Sequence, residues 1–379
     1  MTSVTDLREL VEVVIGVDTH VHEHAAAAVD ARTGAVLGQV RVSADVHGFA
    51  RLVVFADRYS PARFWAVEGT SSHGAGLCRY LLGDDLVENV IELDRPERMK
   101  RRHGAKSDEI DAVRAAREAL ARPQLGVPRS GARRDRLAAL LAVRASAVQG
   151  AADGARQLFG LTVSAPQVLR DRVRVESSTA AMVDRAAVLR ISKSWDADTA
   201  AMARVLRRLA KRVKSLEAEA AELEKQIKAV VKSWKPALLD VHGVGPIVAA
   251  TVLCAWSHPG RIRSRGAFAM LAGAAPIPAS SGEVTRYRLN RSGDRRLNWA
   301  LHHIVLVRMQ HDPRSKRYVQ KWQSESNGRK KKSKREIRRC LKTYVARELY
   351  GLLEYGDNTP SNGGETPAHA AQIPALDKT

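Results

Sequence analysis

Cysteine is nearly missing from these 379 residues. Cys78, Cys254 and Cys340 stand far apart with no paired spacing, which excludes a disulfide framework and a thiolate zinc site and points to a reducing cytosol. Long hydrophobic runs are missing too. The longest, IVAATVLCAW, has ten residues, about half of what a membrane span requires. No basic stretch leads into an apolar one near the N-terminus, so neither secretion nor membrane insertion is expected.

Acidic residues are in deficit. There are 41 Asp and Glu against 62 Lys and Arg, a formal net charge of +21 and an isoelectric point near 10.3. Such an excess suggests a polyanionic partner, because each phosphate neutralised by Lys or Arg releases condensed counterions. The deficit is also local. Residues 1–121 carry 15 basic and 19 acidic side chains, net −4, whereas residues 286–347 carry 20 and 4, net +16. An acidic module joined to a very basic one implies a division of labour.

What is present is apolar pattern in quantity, 45% of the residues, as in a soluble globular protein, and a length of 379 residues that allows two or three domains. VEVVIGVD, HAAAAVD and GAVLGQVRV read as strands with the turn signal DARTG between the last two. A helix follows with Phe49, Leu52, Val53 and Ala56 on its apolar face, then the strand RFWAVEG, a helix near 74–82 and the strand LVENVIEL. A further helix, capped by Ser107, opens on GAKSDEIDA. The order predicts a mixed α/β sheet over 10–130. Residues 131–235 read as a helical linker. Within it Met202, Leu206, Leu209, Val213, Leu216, Ala220, Leu223, Ile227, Val230 and Trp234 alternate spacings of three and four. That is a coiled-coil seam over 202–234, expected to meet a partner helix. A mostly helical unit over 236–354 and a disordered tail over 355–379 complete the chain.

Asp18 and Glu68 end strands, and Asp108 and Asp111 share the first turn of a helix. Three residues apart they are neighbours, so a positive charge is expected opposite them. The four carboxylates converge if the two strands are adjacent and the helix crosses their carboxyl ends, as in a sheet of the RNase H type. Oxygen donors of this kind suit Mg²⁺ or Mn²⁺, and two such ions can clamp the attacking and leaving oxygens of a phosphodiester. His20, His22 and His24 read as ordinary exposed strand residues.

Farther on, Gly243 and Gly245 in LLDVHGVGPIVAATVL suggest a helix-hairpin-helix whose amides hold a phosphate. Ser280 and Ser281 lie in a small-residue loop followed by Arg286, Arg288, Arg291, Arg295 and Arg296. A serine among cations can act as a nucleophile towards phosphate. The segment GRKKKSKREIRR, with Lys330, Lys331 and Lys332, is read as a nucleic-acid contact with Trp322 and Tyr344 close by to stack on bases.

IGVDTHVHEHAAAAVD, WAVEGTSSHG, AKSDEIDA, LLDVHGVGPIVAATVL and LAGAAPIPASSGE with RLNRSGDRRLNWAL together resemble the DEDD-type transposases, or recombinases, of the insertion sequence 110 family. The resemblance covers roughly residues 12–125 and 236–350. It implies a RuvC-like nuclease domain with Asp18, Glu68, Asp108 and Asp111 as metal ligands, and a C-terminal transposase domain whose catalytic serine falls on Ser281, with Ser280 as the alternative. It further implies donor and target DNA as substrates, a structured bridge RNA that pairs with both, and a bacterial, nucleoid-associated location. A homo-oligomer, a coiled-coil-linked dimer assembling to a tetramer, is expected. The loop PASSGEVTRYRLNRSGD lacks the glycine pair that many relatives carry before the arginine-rich turn. Three other readings remain. One is a Holliday-junction-resolving nuclease that uses the acids to activate water. Another is a non-catalytic nucleic-acid-binding protein. The third is an actin-like or sugar-kinase fold, which would require glycine-rich phosphate loops that the sequence lacks.

Overall fold

A computed structural model describes residues 7–83, 86, 88–93, 108–122, 125–173, 178–279, 287–324 and 331–356. They belong to two compact units. One is drawn from Met1–Gly131 and Trp256–Ser264, the other from Ala132–Ala255 and Arg265–Gly363.

In the first unit α1 (Leu7–Leu10) precedes β1 (Val13–Thr19), β2 (Glu23–Asp30) and β3 (Val36–Ser43); then come α2 (Val46–Asp57), β4 (Arg63–Glu68), α3 (Ala75–Leu81), β5 (Val90–Leu93) and α4 (Asp108–Ala121). After α1 this is the order expected from the sequence. The five strands lie in the order β3-β2-β1-β4-β5. β2 is antiparallel to β1 and β3, while β4 is parallel to β1 and β5. The fold is mixed α/β, consistent with an RNase H-like sheet.

Successive side chains on a strand point to opposite faces. Ile15, Val17, Trp65 and Val67 therefore pack with Phe49, Leu52, Leu77 and Leu81 of α2 and α3. Val14, Ala25, Ala27 and Ala66 pack with Ala112, Ala116 and Ala119 of α4. Because both faces are covered, β1 and β2 read as unbroken apolar runs. The α4 face is lined by small residues on both sides, so helix and sheet approach closely. Asp45 starts α2 by accepting a hydrogen bond from Gly48 N at 2.8 Å.

The returning segment Trp256–Ser264 is pinned to this unit by buried polar contacts. Arg261 Nη2 lies 3.3 Å from Glu92 Oε2 on β5, Thr70 Oγ1 donates to Glu92 Oε1 at 2.6 Å, and Ser257 Oγ donates to Ser130 O at 2.9 Å.

The second unit begins with α5 (Ala132–Val163), α6 (Gln167–Val173), α7 (Thr179–Ala187) and α8 (Ala197–Trp234). A 3-10 turn (Pro236–Asp240), α9 (Pro246–Trp256), α10 (Arg265–Leu271), the short pair β6 (Ile277–Pro278) and β7 (Tyr287–Arg288), α11 (Arg295–His311), α12 (Pro313–Gln323) and α13 (Lys334–Tyr355) follow. The heptad seam of α8 does find a partner helix, but the partner is α5 of the same chain. The two run antiparallel: Arg144 Nη2 donates to Glu224 Oε2 at 2.8 Å, and a Cβ at Gly154 would stand 2.8 Å from Val213 Cγ2. Leu206, Leu209 and Val213 share an intrachain core with Leu158, Leu169 and Met182. Within one chain, then, α5 covers the stripe of α8. A heptad specifies an apolar stripe, not the chain that covers it.

Candidate active site

β1 and β4 pair in parallel up to Val17 and Val67. Asp18 and Glu68 are the next residues on each strand, at the carboxyl ends of neighbouring parallel strands, where α/β sheets bind ligands. Alternation puts both on the face of Val14 and Ala66, the one α4 covers. The helix starts at Asp108 and carries Asp108, Glu109 and Asp111 in its first turn, a placement the helix dipole favours.

Asp18 and Asp108 meet around a histidine. His20 Nε2 lies 3.2 Å from Asp18 Oδ2 and 3.4 Å from Asp108 Oδ1, and one ligand atom from each of the three falls within 4.8 Å of the others. Arg41, reaching from β3, stands 3.5 Å from Asp108 Oδ2 and also holds Glu23 at 2.6 Å and Glu109 at 2.7 Å. The fixed positive charge opposite Asp108 is Arg41, with the His20 imidazole beside it. For Asp111 the cation is Arg114, at 2.7 Å. Burial pushes the Asp18 carboxyl above its ordinary range; His20 opposes this, and the charges of Asp111 and Asp108 reinforce it. Asp111 thus acts on the site through its field. Glu68 shares the face, and its backbone carbonyl accepts from Thr19 Oγ1 at 3.0 Å.

The histidines differ from expectation. His20 and His22 precede β2, and only His24 lies on it. His24 is buried and stacks on Phe49 with ring centroids 5.7 Å apart. His20 belongs to the acid cluster, which sequence reasoning missed. The available signal was its position two residues past a strand-ending aspartate.

In the second unit Gly243 (φ 86°) turns the chain between the 3-10 segment and α9, and Ala249 N donates to the carbonyl of Gly245 at 2.9 Å. The first arm of the expected helix-hairpin-helix is that 3-10 segment of five residues. Arg288, Arg291, Arg295 and Lys332 border one cavity of about 700 Å³. Arg296 lies in the first turn of α11, where its backbone N–H joins the Asp294 cap at 2.9 Å. Lys331 directly precedes Lys332. Lys332 Nζ covers the Trp322 ring at 3.6 Å, and Tyr344 packs edge-on to Tyr318 at 5.8 Å. Ser107, Ser280, Ser281, Arg286 and Lys330 lie outside the described residues.

Two family models match the chain: a transposase model of the IS110 DEDD type over residues 15–162, and the transposase IS116/IS110/IS902 family over residues 235–320. The first includes Asp18 near the end of β1, Glu68 at the end of β4 and the helix that begins at Asp108. The chain belongs to the IS110 transposase family. Among curated proteins none matches it. As a member of this family the chain is a transposase, an enzyme that binds DNA and catalyses its cleavage and strand transfer. Among the described residues no helix is long and apolar enough to cross a membrane.

Proposed function

We propose that this IS110-family transposase moves its element through a serine-linked DNA intermediate, with divalent ions at the acid cluster and a bridge RNA as guide. The observation that carries the metal reading is the meeting of Asp18 and Asp108 beside His20, with Glu68 ending the adjacent parallel strand on the same face. Carboxylate donors suit Mg²⁺ or Mn²⁺, and Asp18, Glu68, Asp108 and Asp111 would hold two such ions, with His20 as neighbour or ligand. When bound, such ions neutralise charge on the phosphodiester and its leaving oxygen.

Ser281 is the assigned nucleophile and Ser280 the alternative. An Oγ–P bond forms as the P–O bond to the departing strand breaks; the hydroxyl proton passes to a base, and the leaving oxygen is protonated. The hydroxyl of another strand then displaces the serine, so the phosphodiester energy is conserved and no external energy source is needed. Gly243, Gly245, Arg286, Arg288, Arg291, Arg295, Arg296, Lys330, Lys331 and Lys332 contact nucleic acid, a role supported by the net charge of +16 over residues 286–347. Donor and target sequence are read by base pairing with the bridge RNA, a division of labour in which protein reads backbone and shape. The working assembly is a dimer that pairs into a tetramer.

The test is a labelled DNA strand that comigrates with denatured protein in the presence of Mg²⁺. Ser281→Ala together with Ser280→Ala removes the adduct if the reading is right; full strand exchange by that double variant refutes it. One observation favours a second reading. His20, in contact with Asp18, is placed like a general base for water, as in a junction-resolving nuclease. Release of 5′-phosphate ends without an adduct would select it.

A further inference from the structure

We propose that the cavity lined by β7, α11 and α13 receives an unpaired nucleotide of a DNA or RNA strand, its base stacked on Trp299 and its phosphate held by Lys342. The proposal rests on the reading of the chain as a nucleic-acid enzyme and adds the form in which a strand is recognised.

The first argument is charge. Arg288, Arg291, Arg295, Lys332, Arg339 and Lys342 line the cavity. The lining carboxylates, Asp294 and Glu336, are engaged at helix N-termini. Asp294 Oδ1 accepts from Arg296 N at 2.9 Å and Leu297 N at 3.0 Å, and Glu336 Oε2 accepts from Ser333 N and Oγ at 2.8 Å. Among the described residues none of the six cations forms an ion pair. A concave surface with this excess attracts an anion.

The second argument is the position of one ammonium group. Lys342 extends from α13 to Asn298 Oδ1 at 2.8 Å, while Asn298 Nδ2 donates to Ala272 O at 2.7 Å. Asn298 is thus fixed to the chain after α10 and fixes Lys342 in turn. An ammonium carries three donors, and Asn298 takes one. Burial disfavours the Lys342 ammonium and presses its pKa downward, a cost that a phosphate beside it would offset.

The third argument is aromatic surface. Trp299 is 45% exposed and Tyr287 62% exposed, both on the lining. Trp299 is backed by His303, with ring centroids 4.3 Å apart, which steadies the indole. Bases stack on such rings with little regard to sequence. A cavity of about 700 Å³ has the size of a small-molecule pocket. Its volume is enough for a nucleotide or two.

The experiment uses the full chain and three probes: a single DNA strand and a single RNA strand, each carrying 2-aminopurine, and the matching DNA duplex. Binding of a single strand should quench the fluorophore. Trp299→Ala should abolish the quench and weaken single-strand affinity about tenfold, with less than twofold loss for the duplex. Lys342→Met should weaken single-strand binding and lower its salt slope by about one, and Lys342→Arg should restore both. Tyr287→Ala, at the more exposed ring, is the second variant if Trp299→Ala does not fold. Quenching confined to the DNA or to the RNA strand supports the proposal and names the source. Equal losses for single strand and duplex, or a quench that survives Trp299→Ala and Tyr287→Ala, overturn it. Failure to bind any of the three probes overturns the nucleic-acid reading as well.

Discussion

Gly16 on β1 lies directly beneath Ala116 of α4, so close that a Cβ at Gly16 would stand 2.6 Å from the Ala116 backbone nitrogen. This contact sets the height of the helix above the sheet, and α4 begins with Asp108 and Asp111. Gly16→Ala must therefore displace α4 or unfold the unit. A destabilisation of about 1–3 kcal/mol, typical of overpacking, is expected in urea melts, with loss of strand cleavage greater than the loss of folded protein. Unchanged stability and activity would refute the packing account.

The acid cluster has a consequence for metal dependence. Among the described residues, His20 lies between Asp18 and Asp108, and Arg41 offsets charge on Asp108. Adding Mg²⁺ or Mn²⁺ should raise the melting temperature, by an amount equivalent to about 2.7 kcal/mol at a hundredfold excess over Kd. Asp18→Asn and Asp108→Asn should each remove most of that shift, and chelation should reverse it. Calorimetry on the three proteins decides the matter.

His20 touches both carboxylates. His20→Ala should lower DNA cleavage about 10- to 100-fold, the usual effect of losing a group that orients metal ligands, while leaving the fold intact. A cleavage assay on the variant, with circular dichroism as control, checks it.

The α5–α8 pair lies within one chain. Gly154→Val would thrust a branched side chain towards Val213, whose Cγ2 is 2.8 Å from where a Cβ would sit. The expected cost is about 1–3 kcal/mol of stability, independent of protein concentration. If the seam joined two copies, the loss would instead grow on dilution.

Burial pushes the Cys254 thiol up to about 11 from an ordinary 9.0. Only the thiolate is nucleophilic, so alkylation of Cys254 in the native protein near pH 8 should run roughly a hundredfold slower than in urea. The sign for stability follows. A thiol whose folded value lies above its unfolded value costs nothing below pH 9. The cost grows as pH rises from there and is complete once pH exceeds the folded value near 11. Cys254→Ser should flatten the stability profile over that range.

Much of the first unit was legible in the sequence because its signals are local. Asp18 and Glu68 could be placed at strand ends from the apolar runs before them, and Asp108 with Asp111 in a first helical turn. His20 was not legible. It lies in the turn between two strands, and its partner Asp108 is distant in sequence. Arg41 was equally hidden, since its three carboxylate contacts come from β2 and α4.

Sequence alone determined the strands, the acids at their ends, the apolar stripe of α8 and the basic character of residues 286–347, because periodicity and charge are properties of neighbours along the chain. Tertiary structure alone decided that α5 covers the stripe, that a histidine joins the aspartates, and that scattered cations share one cavity with Trp299. Those choices depend on how closely backbones can approach, which is set by volumes such as the missing side chains of Gly16 and Gly154, and no local pattern encodes which distant surface will fill the space.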